Sequence, residues 1–233
     1  IAAKQMADKV NARIVSNGVK GEVHTYSVTD YAESVINAAS GVYSDKAVNA
    51  VKAMLNYGTA AQQYFGYNTD NPANSIMTDD DKNMDMVGFN TYTGKLVNAD
   101  SVSGISYYGS SLVLESDTIL RNYFELSDGY SIDNYTFYVK DKDGNKNIIA
   151  PQKTDASLYY IDISNVKAYE LADNVNIYVQ KNGDSEDKIM MLEYGAYVYA
   201  RYVDKYLDNT ALKNLMTAMY HYCNAATEYA NIY

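Results

Sequence analysis

Few residues in this chain have both the type and the spacing that chemistry demands. Its two histidines are His24 and His221, and its one cysteine is Cys223. The histidines fall in unlike predicted elements, and no second cysteine or carboxylate completes a zinc-ligand spacing around either. His221 and Cys223 stand at i and i+2 of a predicted helix, which points their side chains apart and opposes a thiol–imidazole pair. Cys223 therefore reads as a small buried hydrophobe. No nucleophile elbow, phosphate-cradling glycine loop or dinucleotide fingerprint is present. The glycines of Gly104-Ile-Ser-Tyr-Tyr-Gly109 lie in a strand context, where they mark a bulge or bend. Glu115 and Glu125, on adjacent predicted strands, are the least implausible carboxylate pair for glycoside chemistry. For metals, Asp141, Asp143 and Asn145 cluster oxygen ligands in a turn and form a weak calcium candidate, without the distal glutamate of an EF-hand loop. The expectation is a protein that is not an enzyme, with no catalytic residue and no cofactor.

Tyrosine is the other chemically expressive residue, at 26 copies against four Phe and no Trp. A phenol ring offers a flat apolar face and a hydroxyl, which suits interfaces and sugar platforms. Tyr107, Tyr108, Tyr123, Tyr138, Tyr159 and Tyr160 all fall in predicted strands and form the candidate ligand-binding set. Because side chains alternate across a strand, one of each adjacent pair must face outward.

Composition narrows the classes of function. A net charge of −10 opposes binding to nucleic-acid phosphates or anionic lipid. The longest apolar runs span only a few residues, so no membrane insertion is expected. A single cysteine excludes an intrachain disulfide framework. The chain opens on Ile1 with no signal peptide in view, which suggests a mature fragment or an excised piece.

The elements that must position these residues follow from periodicity. Residues 8–16 and 21–27 read as strands joined at Asn17-Gly18, a strong hairpin signal. Helices follow from Ser27 to Ala39 and from Ser44 to Phe65, the second with an Ala-rich face holding Gly58 and a stop at Gly66. Residues 67–90 are polar and acidic and read as a linker. Short alternating strands are then expected at Ile105–Glu115, Thr118–Leu126, Tyr135–Lys140, Asn147–Pro151, Leu158–Ile163 and Asn174–Gln180. Helices Met190–Tyr206 and Asn209–Tyr229 close the chain.

The two ends are related. Without gaps, 3–18 against 168–183 gives seven identities in 16 positions, and 49–64 against 214–229 also gives seven, both at an offset of 165 (168 − 3; 214 − 49). A period this long means tandem modules rather than a solenoid. The fold expected is α+β: an antiparallel immunoglobulin-like β-sandwich followed by a two-helix hairpin, preceded by a partial copy made of a β-hairpin and two helices. The boundaries expected are 1–66 for the partial copy, 67–90 for the linker, 91–187 for the sandwich and 188–233 for its helix pair. An isolated two-stranded hairpin is marginal in water, so residues 8–27 are expected to pair with the sandwich or with a neighbouring molecule.

The segment Ala50–Asn74, with Leu114-Glu-Ser-Asp-Thr-Ile-Leu-Arg-Asn-Tyr-Phe-Glu-Leu126 and Ile132-Asp-Asn-Tyr-Thr-Phe137, resembles an uncharacterised module found in large secreted or cell-surface proteins of gut Firmicutes. The resemblance implies extracellular or cell-surface display in a bacterium and carries no functional residues with it. The expected role is a non-enzymatic structural or interaction module whose partners are other protein modules or cell-surface glycans. The alternative is a carbohydrate-binding module using the exposed tyrosines.

Overall fold

The computed structural model describes residues 1–85, 100–114, 118–164, 166–170, 175–193 and 209–231. The chain is mixed α+β with antiparallel sheets, and it divides into two compact units: residues 1–87 with 206–233, and residues 88–205.

The first unit is built on two long helices that the repeat relates. Helix α2 spans Asp45–Phe65 and is capped by Ser44, whose hydroxyl accepts from the Ala47 amide. It stops at Gly66, which takes the left-handed conformation (φ 60°). A single turn, α3, covers Asp79–Lys82. Helix α4 spans Thr210–Ala230 and is capped by Asn209. Adding 165 to the bounds of α2 gives those of α4 (45 + 165 = 210; 65 + 165 = 230). The two helices pack together, and the repeat-related Tyr57 and Tyr222 stack with centroids 5.8 Å apart at 23°. The shorter α1, Val28–Ile36, begins in a reciprocal cap in which Ser27 Oγ accepts from the Asp30 amide and the Asp30 carboxylate accepts from the Ser27 amide.

This arrangement corrects the expected boundaries. The C-terminal helix was expected to complete the module that holds the sandwich, yet α4 closes the first unit beside α2. Packing decides this, because Leu215, Met216, Ala218, Met219 and Cys223 need an apolar partner and the buried side of α2 supplies one. Residues 67–85 also depart from the linker expected over 67–90. Ala73 is fully buried and Met77 nearly so. Gln62 Nε2 donates to the carbonyls of Asn71 (3.0 Å) and Asn68 (3.4 Å), while Gln62 Oε1 accepts from the Ala73 amide (2.8 Å). The polar composition that reads as solvated linker here serves to satisfy a backbone that lies against α2. Gly58 explains how close it lies: a Cβ there would meet Met6 Sδ at 2.8 Å and Ala73 Cβ at 3.1 Å. The glycine thus admits the N-terminal turn and this segment.

The N-terminal hairpin forms as expected, in four short strands: β1 Val10–Ala12, β2 Val15–Ser16, β3 Val19–Lys20 and β4 His24–Tyr26. Asn17 and Gly18 both have positive φ (49° and 78°), as a two-residue primed turn requires. Among the described residues β1 pairs only with β4, and β2 only with β3, so the expected additional strand is not found.

The second unit contains two four-stranded antiparallel sheets. One runs β5-β6-β10-β9, from Ile105–Leu114, Thr118–Leu126, Tyr159–Ile163 and Gln152–Lys153. The other runs β12-β11-β7-β8, from Lys188–Glu193, Val175–Lys181, Tyr135–Lys140 and Lys146–Ile149. Both sheets fill a single buried cluster, with Ile105, Phe124 and Ile161 from the first and Phe137, Ile177, Val179, Met190 and Met191 from the second. Phe124 and Phe137 meet across it at 5.0 Å. Each such ring removed from water contributes about 1.5–3 kcal/mol.

Strand β12 corrects the helix expected from Met190; residues 194–206 of that helix lie outside the described residues. Ile177 faces Met191 while Tyr178 faces Ile189, leaving Met190 as the extra residue of a bulge. The bulge turns two consecutive side chains, Met190 and Met191, into the core. Consecutive buried residues defeat the two-residue alternation by which a strand is recognised.

Candidate functional site

The candidate tyrosines lie on the second unit, and strand register sorts them. Tyr107 and Tyr159 both pair with Phe124, so all three side chains share the core side. Tyr107 meets Phe124 edge-on at 6.0 Å. Tyr123 and Tyr160 face one another on the opposite side. Tyr108 is the extra residue of a bulge between Tyr107 and Gly109 and is 65% exposed. The bend anticipated in the Gly104–Gly109 segment is this bulge, with Gly104 in the left-handed region at φ 83°. Tyr138 lies on the other sheet and is buried. The six residues therefore do not form one face.

Two polar constellations emerge instead. On the β5-β6-β10-β9 sheet, Arg121 and Asp162 are directly paired in register. Arg121 Nε and Nη2 donate to the two carboxylate oxygens at 2.7 and 2.8 Å. This fork raises the guanidinium pKa further above its ordinary value, against the opposing effect of burial. The guanidinium carbon sits 4.1 Å from the centre of the Tyr160 ring. Tyr160 donates its hydroxyl to Gln152 Oε1 at 2.6 Å, and its ring lies 6.0 Å from that of Tyr123, tilted by 51°. The rings are neither coplanar nor open on both sides, which limits stacking on a flat ligand.

On the other sheet, Tyr138 and Tyr178 face one another in register and stack at 5.2 Å and 6°. Lys146 lies over Tyr138 and Lys140 over Tyr178, each 4.4 Å from the ring centre. Asp187 joins the group: Lys146 and Lys140 donate to it at 2.8 and 2.9 Å, and the Tyr138 hydroxyl also donates to it. Lys146 first, then Tyr138 and Lys140, hold the Asp187 carboxyl well below the usual carboxylate range. Burial and this carboxylate together raise the Tyr138 phenol. A shallow recess of about 450 Å³ beside this group is lined by Val139, Lys140, Lys142, Asn176 and Tyr178 among others. The Tyr138 hydroxyl is thus held by the Asp187 carboxylate, which both lysines also contact. The sequence signal for this group was available only in part: alternation puts Tyr138 and Lys140 on one face, but Asp187 lies in a loop beyond β11.

The remaining candidates separate. Asp141 is engaged by its own turn: its Oδ1 accepts from the amides of Asp143 (2.9 Å) and Asn145 (2.8 Å), and its Oδ2 from Asn145 Nδ2 (3.0 Å). These donors lower the Asp141 pKa and occupy the oxygens a calcium ion would need. Among the described residues no group of three His, Cys, Asp or Glu side chains could hold a metal. Glu125 is exposed, and Glu115 lies outside the described residues. His24 stacks on Tyr26 at 6.2 Å, His221 Nε2 donates to the Asp85 carbonyl at 2.8 Å, and Cys223 is buried on α4. Among the described residues no helix is long and apolar enough to cross a membrane.

Comparison with protein families, curated proteins and solved structures yields no match to this chain.

Proposed function

We propose that the second unit is an immunoglobulin-like sandwich and that the chain is a non-enzymatic structural and interaction module of a secreted or surface-displayed bacterial protein. Strand order is the observation that carries this reading. The sheets β5-β6-β10-β9 and β12-β11-β7-β8 follow the A-B-E-D and G-F-C order of immunoglobulin sandwiches, with β8 added beside the strand in the C position. The half-buried Tyr123 and Tyr160 beside Arg121, and Tyr178 beneath Lys140, support a presenting or docking role, because the Arg121–Asp162 and Lys140–Asp187 ion pairs hold these groups in place. Rigid aromatic and arginine side chains lose little entropy when a protein partner covers them. Surface display rests on the resemblance of Ala50–Asn74, Leu114–Leu126 and Ile132–Phe137 described above. A glycan-binding role has less behind it, since the Tyr123 and Tyr160 rings are tilted and Arg121 covers one of them.

The test is to incubate the purified chain with chromogenic glycosides, esters and peptides and, separately, with an immobilised polysaccharide panel. Absence of turnover and of retention is the expected result. Turnover that disappears with the folded chain would overturn the non-enzymatic reading. Retention on one polysaccharide, lost in a Tyr123→Ala/Tyr160→Ala variant, would replace it with glycan binding.

A further inference from the structure

The hairpin Val10–Tyr26 is amphipathic, and its apolar side is uncovered. Val10, Ala12 and Ile14 alternate along one edge, facing Tyr26 and His24 across the ladder. The other side is polar, with Thr25 Oγ1 donating to Asn11 Oδ1 at 2.7 Å. On the apolar side Val10 and Tyr26 are exposed, and Ile14 is 81% exposed. Polar residues could occupy these positions in a solvated ribbon without loss.

The internal repeat identifies what such a hairpin packs against. Val10, Ala12 and Ile14 correspond to Val175, Ile177 and Val179, and Tyr26 to Met191 (each + 165). In the second unit Ile177, Val179 and Met191 belong to the buried core, with Val179 fully buried. Two features cover them: strand β7, which pairs with β11, and the Phe124, Phe137 and Ile161 side chains. The pairs Tyr178–Tyr138, Val179–Phe137, Gln180–Thr136 and Lys181–Tyr135 translate to Arg13, Ile14, Val15 and Ser16 on the N-terminal ribbon. The turn dipeptide is also kept, Asn17-Gly18 against Asn182-Gly183.

We propose that Val10–Tyr26 is the last hairpin of a second sandwich, completed when a polypeptide equivalent to β5–β10 of this chain pairs its β7-like strand with Arg13–Ser16. The partner is thus a sandwich of the same type that lacks its own final hairpin. A second copy of this chain fits poorly, because its β7 is already flanked by β8 and β11. Backbone pairing would supply affinity, and the inward phenylalanines would supply specificity. The inference goes beyond the proposed function, since it concerns assembly and would hold for a module of any role.

The test extends the full chain at its N-terminus with a copy of residues 100–165. The copied Phe137 then precedes Ile14 by the same 42 residues that separate Phe137 from Val179 (179 − 137 = 42). Hydrogen exchange at Arg13–Ser16 is expected to slow by about 100-fold or more relative to the unextended chain. Ile14→Asp in the extended chain is expected to abolish that protection while leaving β11 and β12 protected. Equal exchange in the extended and unextended chains would overturn the proposal, as would protection that survives Ile14→Asp. Protection that arises in the unextended chain with rising concentration, alongside a dimer mass, would also overturn it in favour of self-association.

Discussion

Tyr57 and Tyr222 are the same residue of two repeat copies, and they stack on each other. A contact between equivalent positions means that α2 and α4 meet through corresponding parts of their surfaces, as two subunits do across an isologous interface. One chain thereby contains the geometry of a small dimer. If the stack couples the helices, its loss must be non-additive. Tyr57→Ala and Tyr222→Ala are each expected to cost about 3 kcal/mol of stability. The double variant should cost less than their sum by about 1 kcal/mol. Denaturant titration of the four proteins checks this, and full additivity would refute the coupling.

Gln62 is fully buried and uses both ends of its amide to hold residues 68–73 on α2. Gln62→Glu keeps the shape but replaces the donor with an anion aimed at two carbonyls. It is expected to destabilise the protein by about 2–4 kcal/mol, more than Gln62→Leu, which unpairs the Ala73 amide as well as the two carbonyls but adds no buried charge. Thermal melts of the two variants decide the order. A melt of Gln62→Glu at or above that of Gln62→Leu would show that water reaches the site.

Asp187 gives the stability a predictable acid dependence. Its folded-state pKa is held below the value of an unfolded carboxylate, so its contribution is complete above about pH 4. That contribution is lost as pH falls further and the carboxylate takes up a proton. Asp187→Asn should therefore lower stability at neutral pH and flatten the decline below pH 4. Parallel urea titrations from pH 2 to pH 7 measure it. Curves that remain parallel through the acid range would remove Asp187 from the account.

Gly104 sits at φ 83°, and a Cβ on it would meet the Tyr130 ring at 2.1–2.4 Å. Gly104→Ala is expected to destabilise the second unit by about 2 kcal/mol, from left-handed strain and displacement of the ring together. Tyr130→Ala in the same chain should recover the part due to the clash and leave about 1 kcal/mol of backbone strain. If it recovers nothing, strain alone accounts for the cost.

Much of this architecture could be read from residue order. Thr118–Leu126 alternates over most of its length and Tyr135–Lys140 as far as Phe137, and the observed strands have the limits expected of them. The offset of 165 links α2 to α4 residue for residue. Two kinds of feature escaped. The bulges at Tyr108 and Met190 break the two-residue period, so Met190–Glu193 reads as the start of a helix. Choice of partner is the second. An amphipathic helix announces that it has an apolar side but not which surface will cover it, and so α4 reads as part of the wrong unit. The candidate site was legible to the level of faces. Alternation separates Tyr123 from Phe124, whereas the covering of Tyr160 by Arg121 depends on side-chain reach across strands.

The pairing of α2 with α4 also sets an order of events during synthesis. The helical unit is discontinuous: residues 88–205 are made between its two parts. Until α4 has left the ribosome, Leu55, Ala60 and Ala61 on α2 lack the helix that completes their surroundings. Closing so long a loop costs only slowly growing entropy, and early folding of the intervening strands would shorten it further. Helix α2 is thus translated well before it reaches its final environment, and a chain truncated after residue 205 would present an open apolar helix to the cell's quality control.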